Sequence, residues 1–207
     1  LDGKFNEAIT LYHELIDISP KSQFYSNLGL AYELIGNFYQ AEKHFAKAFE
    51  LNPKSSIWQL NLADALLLQG KKNKASKHYQ QIIIENQDSL DDWEAQIMLA
   101  QANIQQGNTS AALKALHRSL RLAGDNAEVL FNAALIYALA KQWPVSLSYI
   151  EQSLAQQLSP IWFNLPWFDA LCETEKEAFE NLLAMANKNN SNTSTKIKSR
   201  CKAPAIN

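Results

Sequence analysis

The chain has 207 residues, 47% of them hydrophobic and 19% charged, an ordinary composition for one folded core. The net charge of −2 is unevenly spread: five of the nineteen basic residues lie in 188–207, where there is no acid, leaving residues 1–187 with fourteen bases against twenty-one acids. An acidic body excludes a nucleic-acid backbone as partner, because phosphates need a basic footprint, and no apolar run reaches the roughly 18 residues of a membrane span.

Residues 5–18 place Phe5, Ala8, Ile9, Tyr12, Leu15 and Ile16 at the i, i+3, i+4, i+7 spacing of one helix face, and Pro20 stops the helix. Gly3 stands where a turn between two helices would put a glycine, yet no helix precedes it. The chain is therefore expected to start inside a repeat, as a fragment of something longer; a native half-repeat start is the alternative. Because the first residue is Leu1 and not Met, an upstream signal or anchor stays open.

A repeating pattern follows. Gly29, Ala63, Ala100 and Ala134 are each followed twelve residues later by Ala41, Ala75, Ala112 and Ser146. Gly36, Gly70 and Gly107 sit five residues before the second small residue, and Lys141 holds that place in the last copy. Successive glycines from Gly3 are 33, 34 and 37 residues apart, a period that marks a stacked array of helix pairs. The spacing predicts helices near 22–35 and 38–51, 55–69 and 72–85, 91–106 and 109–122, then 126–140 and 143–157. Two antiparallel helices approach most closely at one crossing, so each contributes a small residue there. The turn glycine supplies the left-handed conformation that ends the first helix. Phe45, Tyr79, Leu116 and Ile150 are the large residues that wedge into the groove behind the crossing.

After residue 158 the pattern stops. Ser159-Pro160 breaks the helix, and Ile161, Trp162, Phe163, Leu165, Trp167, Phe168 and Leu171 follow around Pro166. These aromatics are expected to cap the apolar end of the last repeat; an aromatic recognition site at Trp162, Trp167, Phe163 and Phe168 is the alternative. A final helix is predicted near 174–187, with Thr174 and Glu177 spaced as a capping box. Residues 188–207, rich in Asn, Ser, Thr and Lys, read as a disordered basic tail. The organisation is thus a half repeat over 1–20, four repeats over 21–157, a cap over 158–187 and the tail.

The stretch Tyr25-Ser26-Asn27-Leu28-Gly29-Leu30-Ala31-Tyr32, with Gly36-Asn37-Phe38, Ala41, Phe45, Ala48 and Pro53, resembles a near-consensus tetratricopeptide repeat. The resemblance covers residues 3–157 and is weakest in the last copy, with Lys141 for Gly and Ser146 for Ala. It implies an all-α fold, a right-handed α-solenoid of antiparallel helix pairs with a C-terminal capping helix, and a role in protein–protein interaction. Residues from Asn132 to Leu183 also resemble the end of repeat arrays that trail bacterial serine/threonine kinases, nucleotide cyclases or winged-helix regulators.

In such a fold the first helix of each pair lines the concave face. The register projects Leu30, Glu33 and Leu34, then Leu60, Asp64 and Leu67, then Glu94, Ile97 and Ile104, then Phe131 and Leu135 onto the partner-binding surface. Ser26, Ile57, Leu68, Gln101, Glu128 and Leu139 extend the same face. This strip is apolar with acids and without Lys or Arg, which suits a protein or peptide ligand that is basic with apolar anchors; burial of its leucines between helices is the competing reading. The clamp by which some relatives grip a chaperone's terminal carboxylate is not matched: Asn27 fits one position, but Ile57 and Asn61 stand where Lys and Arg would be needed.

His13, His44, His78 and His117 are expected on a solvated outer face rather than at a metal. Asp91, Asp92 and Glu94 read as charge complementing a helix N-terminus. Cys172 and Cys201 lie 29 positions apart, with no metal or redox spacing, and point to a reducing, cytoplasmic compartment rather than a disulfide framework. No nucleophile–base pair, phosphate loop or cofactor motif can be assembled. The first functional reading is a non-enzymatic interaction module. The second is a regulatory or sensor segment of a bacterial signalling protein, and the third a substrate-holding region of a glycosyl- or sulfotransferase.

Overall fold

The computed structural model describes residues 4–189. Gly3, Cys201 and the basic tail beyond Asn189 lie outside the described residues. Eleven α-helices follow one another in this span: α1 (Phe5–Ile18), α2 (Ser22–Leu34), α3 (Phe38–Leu51), α4 (Ser56–Leu68), α5 (Lys72–Asn86), α6 (Trp93–Gln105), α7 (Thr109–Ala123), α8 (Ala127–Leu139), α9 (Trp143–Ala155), α10 (Asp169–Thr174) and α11 (Lys176–Asn189). Two 3-10 turns, Pro160–Asn164 and Pro166–Phe168, separate α9 from α10. No strand occurs among the described residues, and no helix there is long and apolar enough to cross a membrane.

Helices pack as sequential antiparallel pairs, α2 on α3, α4 on α5, α6 on α7 and α8 on α9. The first helices also pack on each other, α2 on α4, α4 on α6 and α6 on α8, so they form a continuous layer. The result is a solenoid of helical repeats, as the period predicts. Ala41, Ala63, Ala75, Ala100, Ala112, Ala134 and Ser146 are all fully buried at the crossings. In the last pair the two small residues touch directly: the Ser146 hydroxyl donates to the Ala134 carbonyl at 2.7 Å. Phe45, Tyr79, Leu116 and Ile150, the expected wedges, are buried behind them.

Gly36, Gly70 and Gly107 adopt φ of 79°, 75° and 80°, and Lys141 is forced to 58° at the equivalent turn. A side chain in this region meets a steric penalty of about 1 kcal/mol or more. Two junctions between neighbouring repeats are keyed by the glutamine that closes the first helix of the later pair. The Gln69 amide donates to the Phe38 carbonyl at 2.9 Å and to the Glu42 carboxylate at 2.7 Å, and Ser76 donates to Gln106 at 3.0 Å. The Asp91–Glu94 run is explained by capping, since the Asp92 carboxylate accepts from the Glu94 and Ala95 amides.

Three expectations are corrected. Thr174 does not cap the last helix: its hydroxyl donates back to the Ala170 carbonyl at 2.8 Å, closing α10, and α11 starts at Lys176. Thr174 spends its hydroxyl on the preceding helix because α10 inserts a short extra helix that the periodicity does not signal. Cys172 is disulfide-bonded rather than free. His44 is not solvated: it is 7% exposed and stacked 5.4 Å from the Tyr32 ring, with His13 edge-on at 5.7 Å. His78 meets Phe49 edge-on at 5.9 Å. Each of these two histidines wedges against the preceding second helix of the array, so the outer layer is itself an aromatic seam.

Three outcomes follow from this packing. Ala75→Leu should cost about 1–3 kcal/mol by overpacking the crossing, whereas exposed Lys74→Leu should leave the melting temperature nearly unchanged. Lys141→Gly should stabilise by about 0.5–1 kcal/mol, read as a rise in Tm of a few degrees. Burial, then the His13 and Lys43 charges, lower the His44 pKa to about 4. Folded His44 therefore refuses a proton that the unfolded chain accepts near pH 6.5, and stability falls as pH drops from there towards 4. His44→Phe should flatten that fall in thermal melts between pH 7 and pH 4; an unchanged pH profile would contradict the assignment.

Candidate partner-binding groove

The layer of first helices carries an open depression with a cavity volume of about 320 Å³. Its wall is contributed helix by helix: Leu30 and Glu33 from α2, Ile57, Leu60, Asn61 and Asp64 from α4, Met98 and Gln101 from α6, and Glu128, Phe131, Asn132 and Leu135 from α8. These are one-turn and two-turn spacings along each helix, which is why a single face supplies them. The far end is closed by Leu158, Trp162, Leu165 and Trp167 from the cap.

Of the residues projected from the sequence, Leu30, Glu33, Leu60, Asp64, Phe131 and Leu135 line this depression. Glu94 borders a smaller adjoining one, shared with Ile57, Met98 and Glu128. Ile97 is fully enclosed, Leu34 and Ile104 are each 8% exposed, and Leu67 packs half-buried against the core. Leu34, Leu67 and Ile104 lie close to the inter-helix turn, where the second helix folds back over them. In α6 it is Met98, the next residue along from Ile97, that faces the opening.

Sequence reasoning put capping ahead of recognition for these aromatics and left them out of the groove's wall. Trp162-Phe163 and Trp167-Phe168 form a repeated doublet in which the two rings part company. Phe163 and Phe168 are buried, 5.2 Å apart, and Phe131 sits 5.7 Å and 6.0 Å from them. The tryptophans stay part-exposed at the mouth of the groove, with Trp162 6.3 Å from Phe131. The recurrence of Trp-Phe at an interval of five is the one signal that could have separated cap from groove.

The floor is tied by side-chain hydrogen bonds between adjacent first helices. Asn61 donates to the Ser26 hydroxyl at 3.2 Å, joining α4 to α2, and Gln101 donates to Asn132, joining α6 to α8. Tyr79 reaches through from α5 and donates to Asp64 at 2.5 Å. Burial pushes the Asp64 carboxyl up to about 7 against the pull of that hydrogen bond. Burial and the neighbouring Glu94 charge raise Glu128 as well. No Lys or Arg is among the lining residues, so these carboxyls face no cation of their own within the groove. The arrangement offers apolar contact, aromatic faces and hydrogen-bond acceptors.

Because folded Asp64 holds its proton more tightly than the unfolded chain does, its contribution to stability is lost as pH rises from about 4 towards 7. Asp64→Asn keeps an acceptor for Tyr79 and removes this loss. The variant should melt above wild type at pH 8 and close to it at pH 4.

The tetratricopeptide repeat sequence profile matches residues 21–83 and again 93–136, together more than half of the chain. No curated protein matches it in sequence. Among solved structures, a thermophilic tetratricopeptide repeat protein of Thermus thermophilus is 19% identical, with 82% of this chain and 92% of that one covered and a TM-score of 0.54. The Cut9–Hcn1 hetero-tetramer of the APC/C is 17% identical, with a TM-score of 0.51; the match covers 92% of this chain but only 38% of that one. At these identities the likeness is one of fold. The repeat profile, the helix-pair period and the packed crossings agree: the chain belongs to the tetratricopeptide repeat family.

Proposed function

We propose that the protein is a non-enzymatic interaction scaffold that holds a protein or peptide partner in its concave groove, and that the partner's contacting segment is basic with apolar anchors. The observation that carries this reading is the groove's composition. Leu30, Ile57, Leu60, Met98, Phe131, Trp162 and Trp167 supply apolar surface, Glu33, Asp64 and Glu128 supply carboxyls, and no basic side chain lines it. Apolar area drives association, while the single sign of charge steers and selects the partner. Rigid first helices, tied to each other across the floor, present this surface at little ordering cost.

Exposed residues allow a test that spares the fold. Ile57 is 40% exposed and Glu128 lies on the rim. The double variant Ile57→Lys with Glu128→Lys should lose partner capture in pull-downs from native lysate by at least tenfold, with unchanged circular dichroism. The outer-face variant Lys77→Glu with Glu85→Lys should capture as wild type does. Loss of capture in the outer-face variant alone would place binding on the other side of the solenoid.

A further inference from the structure

The cap end of the groove is chemically one-sided. The Asn132 amide nitrogen donates to the Glu128 main-chain carbonyl at 2.9 Å, so its oxygen faces Gln101. Gln101 must therefore present its own amide nitrogen to Asn132, as observed. That fixes the Gln101 side chain with Oε1 turned away, and this oxygen is buried with no partner. An acceptor left this way is an unmade hydrogen bond that an incoming donor would complete. Asp64 and Glu128 add further acceptors on the same wall, and Phe131, Trp162 and Trp167 add ring faces.

We propose that this end of the groove, between the Gln101–Asn132 amide pair and the tryptophans of the cap, is a receptor for an arginine side chain of the partner polypeptide. The proposal rests on the groove reading above and gives it a residue-level specificity. A guanidinium carries five donors and no acceptor, matching the Gln101, Asp64 and Glu128 oxygens, and its flat faces stack on aromatic rings. A lysine ammonium is compact and strongly hydrated, so it spans separated acceptors poorly and loses more solvation on entry. A neutral ureido group keeps the planar shape but carries no charge for the Asp64 and Glu128 carboxyls to attract. Charge complementarity selects the sign, and the orphaned Gln101 oxygen with the ring faces selects the planar cation.

The test uses the full chain and three blocked pentapeptides of alanine and leucine, differing only at the central residue: arginine, lysine or the neutral isostere citrulline. Tryptophan fluorescence titration should give the arginine peptide a Kd at least tenfold below that of lysine, with citrulline weaker still. Trp162→Leu, and independently Gln101→Leu, should shrink that preference to within twofold while helicity is retained. Equal affinities for the three peptides would overturn the proposal; if that binding still vanished in Ile57→Lys with Glu128→Lys, the groove reading would stand without it. No binding of any peptide, by wild type or by Arg200→Ala, would overturn both. Arginine binding that emerges only in Arg200→Ala would show the chain's own tail in the site and overturn the assignment to a partner.

Discussion

The structure depends on how closely two helices can cross. A methyl group on Gly29 would lie 2.7 Å from two atoms of the Phe45 ring, and Phe45 is itself fully buried. The ring occupies the space that a side chain on α2 would need. Ala63 and Tyr79, Ala100 and Leu116, and Ala134 and Ile150 hold the corresponding places in the later pairs, and all are buried. Close crossing permits a short turn, the short turn demands a left-handed residue, and the fixed pair geometry lets each first helix stack on the next. The groove is a product of that stacking and not of any local motif.

Onto this frame the groove adds its own chemistry. Tyr79 illustrates the link: its ring is the wedge of one crossing, while its hydroxyl emerges on the other side to hold Asp64. One residue thus serves packing and also holds down, in part, the pKa that burial raises in a groove carboxyl. Phe131 does something comparable at the far end, packed on Phe163 and Phe168 on one side and opening to the groove on the other. Such shared residues mean that the binding surface and the core cannot be altered independently along much of the array.

Much of the fold was legible because crossings and turns impose residue types at fixed intervals. The helix limits of α2 to α9 lie within about two residues of those predicted from Gly36, Gly70, Gly107 and the paired small residues. The groove was less legible. First helices are buried on two flanks by their neighbours and on the back by their partner, so apolar residues run nearly all round them. Periodicity cannot then tell Ile97, fully enclosed, from Leu30, which faces the opening. His44 misled for a related reason: a polar residue on a second helix looks solvated until the preceding second helix is known to cover it. The cap lay beyond the period altogether, and its extra helix α10 displaced Thr174 from the place that the capping pattern suggested.

Helix α1 packs mainly on α2 and also meets α3, where His13 lies edge-on to His44. At the opposite end, Phe163, Phe168, Leu171, Phe179 and Leu183 bury a dense plug over the last pair. In an array where each unit leans only on its neighbours, local opening free energy follows the buried area at each end. Amide exchange should thus be slowest near α8, beneath this plug and beside the tryptophan mouth. A partner that runs the length of the groove would find its tryptophan end already rigid.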